Sequence, residues 1–79
     1  MDENRVALRK RVLKAGTIEF SGGGISCTVR NLSATGAALE VVSPVGIPGE
    51  FHLVMDVDHL NRLCHVVWRK EKRVGVVFD

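Results

Sequence analysis

Tyrosine is absent from this chain, tryptophan occurs once and phenylalanine three times, so aromatics make up only 5% of its 79 residues. There is therefore no series of exposed rings interleaved with basic residues, the pattern by which small β-barrels stack single-stranded nucleic acid. Cysteine is scarce too. Cys27 and Cys64 are too few and too far apart for a disulfide framework, and both fall in apolar strand patterns, where reduced, buried thiols are expected. No apolar run approaches the roughly 18 residues that a membrane span needs. Met1-Asp2-Glu3-Asn4 opens acidic and without an apolar core, which predicts neither a secretory leader nor an anchor and points to the cytoplasm.

Catalytic and metal-binding sets are missing as well. The carboxylates are scattered through expected turns and strand faces, and no nucleophile stands beside a base, so the chain does not read as an enzyme. His52, His59, His65 and Cys64 include no CxxC or HxxxH spacing, and Cys64 and His65 are neighbours on an expected strand, pointing to opposite faces. No metal site and no resident cofactor is expected.

What is present suffices for one small domain. The hydrophobic content of 46% supports a core, although a chain this short buries a modest fraction of its surface. The net charge of +2 hides an uneven distribution, because five of the eleven basic residues, Arg5, Arg9, Lys10, Arg11 and Lys14, crowd one end with no acid among them. Such a run suits a local anionic partner, and it also reads as a solvated basic tail. Residues 1–11 lack an apolar period and predict a flexible arm, with the folded body over 12–79.

Beyond the arm the dominant signal is period two. Ile18 and Phe20 alternate with Thr17 and Glu19, and Ile25, Cys27 and Val29 follow the Ser21-Gly22-Gly23-Gly24 loop to make a hairpin. Ala37, Leu39 and Val41 form a third strand. Two prolines and two glycines then punctuate Ser43 to Gly49. Phe51, Leu53, Met55 and Val57 alternate with His52, Val54, Asp56 and Asp58, and residues 58–61 turn the chain. Leu63 to Lys70 is apolar on both parities and predicts a strand partly covered on both faces, with Trp68 sharing the parity of Cys64 and Val66 and so placed in the core. Glu71-Lys72-Arg73 joins it to Val74–Phe78. Six short strands with tight turns and no helical stripe favour an all-β fold, a small barrel that removes its edges by closing.

One combination is more specific than these patterns. Arg5 and Arg9 stand four residues apart, and Asn31-Leu32-Ser33-Ala34-Thr35-Gly36 follows at the end of an alternating run, just before a strand. Asn31 and Ser33 are short polar turn formers, and glycine tolerates positive φ and close approach to the backbone. Alone, the turn reads as an Asx-type bond. Together the RxxxR arm and the NxSxxG turn resemble the PilZ domain family, and the strands Cys64–Arg69 and Val74–Phe78 extend the resemblance over nearly the whole chain.

The resemblance implies a six-stranded antiparallel barrel and a ligand, cyclic di-GMP, held by Arg5, Arg9, Asn31, Ser33 and Gly36. These residue types suit it. Arginine can meet a phosphate bidentately, address the O6/N7 edge of guanine or stack on the base, which lysine cannot reproduce. Asn31 offers a donor and an acceptor, Ser33 a hydroxyl, and Gly36 a backbone without Cβ where a purine can lie flat. Aspartate is common at the position of Asn31, and asparagine gives guanine a neutral acceptor. The family's usual C-terminal helix is not expected within these 79 residues, since Asp79 directly follows Phe78; an uncovered apolar mouth would favour self-association, which leaves a homodimer open. The implied role is a cytoplasmic bacterial receptor module that changes conformation and signals to a downstream protein effector. The rivals are a protein-interaction adaptor of the same fold that binds no nucleotide, against which Arg5, Arg9 and Ser33 count, and a nucleic-acid-binding barrel.

Overall fold

A computed structural model of the chain describes the backbone from Lys10 to Asp79 and the side chains from Val12 onward. The expected ligand-clamping arm, with Arg5 and Arg9, lies outside the described residues. The body consists of β1 (Lys10–Phe20), β2 (Gly23–Leu32), β3 (Gly36–Glu40), β4 (Glu50–Met55), β5 (Leu60–Lys70) and β6 (Arg73–Phe78). They close into a barrel in the order β1-β2-β3-β6-β5-β4, with every neighbouring pair antiparallel. The six-stranded barrel is as the sequence predicts, and no helix occurs among the described residues.

Alternation fills the barrel. Ile18, Val29, Leu39, Leu53, Met55 and Val74 are fully buried, and each fully buried aliphatic side chain contributes about 1.5–3 kcal/mol relative to exposure. Cys27 and Cys64 are free and buried in the same core, as expected. Burial pushes both thiols up to about 11. The connection between β3 and β4 seals the barrel through Val41 and Ile47, which are also buried. The Val41 amide donates to the carbonyl of Lys72, and the Val66 amide donates to that of Gly49.

Two boundaries differ from the sequence reading. β1 begins at Lys10, well before the alternation at Gly16, because a bulge between Arg11 and Lys14 hides the period in the residues before it. β4 ends at Met55: residues 56–59 form the turn, the His59 amide donates to the Asp56 carbonyl at 3.1 Å, and Val57, which continues the alternation, is 75% exposed.

Candidate functional site

The turn between β2 and β3 is built around one hydroxyl. Ser33 Oγ accepts from the backbone amides of Thr35 and Gly36, both at 3.2 Å, while the Ser33 amide donates to the Gly36 carbonyl at 2.9 Å. Ser33 therefore shapes the turn and has little hydrogen-bonding capacity left for a ligand. Gly36 is required for a reason other than φ, since its φ is not positive. A Cβ at that position would overlap the backbone carbonyl oxygen of Val76 across the β3–β6 ladder, so only glycine lets the two strands approach. Asn31 differs from both. Its side-chain amide has no hydrogen-bond partner among the described residues.

Asn31 reaches the surface through a register shift. Cys27 and Val29 point into the core, and strict alternation would send residue 31 the same way. Arg30 is left unpaired on β3, since Val29 pairs with Leu39 and Asn31 with Ala38, and this bulge turns Asn31 outward. A second bulge does the same on β5. Val66 pairs with Val76 but Trp68 with Gly75, so Val67 is the extra residue and Trp68 changes face. Trp68 is consequently not in the core, as its parity predicts, but 46% exposed on the outer surface. Leu63 and Val67 are exposed as well, so the outer face of β5 is not covered in the way its apolar run suggests.

The two shifts place Asn31, Ala38, Gly75 and Trp68 in one row across β2, β3, β6 and β5. Small residues form the middle of the row, with an amide and an indole at its ends. A Cβ on Gly75 would overlap the indole of Trp68, so the ring lies directly on the β6 backbone. The result is a recess of about 120 Å³ whose lining includes Asn31, Ser33, Gly36, Trp68, Gly75 and Val77. Three of the five site residues expected from sequence thus meet in one place. Trp68 joins them unexpectedly, and counting back from the β5–β6 turn rather than forward from Cys64 pairs it with the one glycine of β6.

β1 enters the sheet beside the turn, with Lys10 paired to Leu32 and Arg11 to Asn31. On the far side of the row Arg30 meets Glu40 at 3.0 Å, and Glu40 pairs across the ladder with Arg73. The described residues contain no group of three or more His, Cys, Asp or Glu placed to hold a metal ion. They contain no helix long and apolar enough to cross a membrane.

The described residues form a closed all-β barrel with an outer recess lined by glycine, amide and indole. The chain belongs to the PilZ domain family, whose model matches residues 3–79. PilZ domains are regulatory binding domains, generally receptors for cyclic di-GMP. A search of curated proteins found no significant match.

Proposed function

We propose that this domain binds cyclic di-GMP on its outer surface and acts as a receptor module of the bacterial cytoplasm. The observation that carries the reading is the convergence of the Asn31–Gly36 turn and Trp68 on one recess, at the point where β1 brings the chain in from the RxxxR segment. A guanine has the right chemistry for this recess. Its face stacks on the indole, its edge meets the Asn31 amide, which has no partner among the described residues, and the small Ala38 leaves room for a flat base.

In this reading Arg5 and Arg9 supply charge-assisted bonds to phosphate and guanine from the arm. Ser33 and Gly36 act by fixing the turn that carries the recess. Cyclic di-GMP is a ligand that comes and goes, not a resident cofactor. Folding the arm over it is the conformational change passed to a protein effector, and because ordering costs roughly 1–2 kcal/mol per fixed residue, net affinity stays moderate.

Calorimetric titration with cyclic di-GMP tests the reading, with a dissociation constant of roughly micromolar order expected. Absence of heat and of any thermal shift at millimolar ligand, with the protein folded, leaves the adaptor reading in its place. Hydrogen exchange tests the arm: the amides of Val6 to Arg11 should gain protection at saturating ligand, and equal protection with and without it removes the arm as the moving element.

A further inference from the structure

The same bulges that turn Asn31 outward open a groove beside the recess. Val12 and Leu13 lie opposite the bulged Arg30, and together with Asn31 and Arg73 they line a space of about 660 Å³. On the other flank Trp68, Lys70, Glu71 and Arg73 line a smaller hollow of about 280 Å³. The first space shares Asn31 with the central recess and the second shares Trp68. Arg73 belongs to both.

Its place in the ladder explains this. Arg73 begins β6, pairs with Glu40 on β3 and with Lys70 on β5, and so lies one outward row beyond Ala38, Gly75 and Trp68. That row reads Thr28, Glu40, Arg73, Lys70, with the bulged Arg30 beside it. Glu40 is bound to Arg30 at 3.0 Å, and among the described residues Arg73 has no ion-pair partner. The row is therefore net cationic, and among the described residues Arg73 is its guanidinium outside an ion pair.

Along the strands, the row lies beyond the recess on the side away from the point where β1 begins. β1 enters at Leu32, whereas Arg73 is level with Glu40 and, through it, with Thr28. A cyclic dinucleotide carries two phosphodiesters on opposite sides of its ring, so a base seated between Asn31 and Trp68 leaves one phosphodiester able to face the row of Arg73. The geometry points to Arg73 as the residue that receives the second phosphate, giving the site a cationic group beyond the row of Asn31 and Trp68 and selecting cyclic dinucleotides over mononucleotides. This inference rests on the cyclic di-GMP reading above. The planar guanidinium suits a phosphodiester with two unesterified oxygens, which it can meet bidentately.

The test is calorimetric titration of the full chain and its Arg73→Ala and Arg73→Gln variants with cyclic di-GMP and, separately, with GMP. Arg73 is exposed at a hairpin, so both variants should fold, and melting curves check this. Cyclic di-GMP should bind either variant about tenfold more weakly, with threefold as the least loss consistent with a charge-assisted contact, and GMP should change by less than about threefold. If cyclic di-GMP binds the wild type but both variants lose less than about threefold, the second-phosphate role is overturned while the receptor reading stands. If GMP weakens as much as the dinucleotide, Arg73 supplies only general field and the assignment is likewise overturned. A wild type that binds no cyclic di-GMP overturns both.

Discussion

The inner and outer faces of the same strands are built on different rules. Inward, β6 carries Val74 and Val76, which fill the barrel among Ile18, Val29 and Leu39 without a buried polar group among the described residues. Outward, it carries Gly75 beneath an exposed indole, with Arg73 beyond. The inner face demands volume and tolerates no loss of it, while the outer face demands specific groups and leaves space between them. The packed core and the candidate recess therefore lie on opposite parities, and each bulge at the recess moves a residue from one face to the other.

Mutations can break this division, and the largest effects belong to the interior. Leu53 is fully buried, so Leu53→Ala should cost about 2–5 kcal/mol in urea unfolding. That is a large share of the roughly 4–12 kcal/mol expected for a domain of this size. A loss below about 1 kcal/mol would show that the barrel interior collapses around the gap and is less tightly packed than drawn here. Arg9→Ala, in contrast, should leave stability unchanged and weaken cyclic di-GMP binding by about 2–4 kcal/mol, as should Arg5→Ala. Arg9→Lys should restore only part of it. Full rescue by lysine would mean that charge alone matters at that position.

Trp68 sharpens the contrast because it stands on the face its parity does not predict. Trp68→Ala should weaken ligand binding by about 1–3 kcal/mol through lost base stacking, with a smaller change in stability. The reverse outcome, an unfolded or strongly destabilised variant that still binds when refolded by ligand, assigns the indole to packing. Gly75→Ala offers an independent check, since the added methyl displaces the ring without removing it. Its indole fluorescence should shift, and binding should fall with it.

What the sequence discloses and what it hides follow from the same shifts. Unbroken alternation in Phe51 to Met55 and in Ile25 to Val29 is enough to place those residues inside, and the turn from Asn31 to Gly36 is where its spacing puts it. The hidden features are at bulges. Between Arg11 and Lys14, Val29 and Asn31, and Val66 and Trp68, one strand gains a residue on its neighbour, and no rule of period two survives that step. All three shifts border the recess or its groove. The reasons behind two site residues were also illegible: Gly36 answers to the Val76 carbonyl and Ser33 to the amides of Thr35 and Gly36, partners that exist only once β3 has paired and the turn has closed.

The smallest effect tests the dryness of the interior through its two thiols. Burial holds Cys27 and Cys64 near 11, against 9.0 for an unburied thiol. Each folded-state value lies above the unfolded one, so between those pH values the unfolded chain has released a proton that the folded chain keeps. The unfolded state then binds fewer protons, and stability falls as pH rises. It is fully present below pH 9, declines through the window and levels off above about pH 11. At pH 9.5 the loss should be about 1 kcal/mol for each thiol relative to pH 8, measured by urea unfolding under reducing conditions. The absence of tyrosine removes phenol ionisation from this window, and Cys27→Ala isolates the share of one thiol by flattening the slope. A stability that is constant from pH 8 to 9.5, together with rapid thiol labelling in the folded protein, would place water at Cys27 and Cys64 and end the sharp division between the two faces.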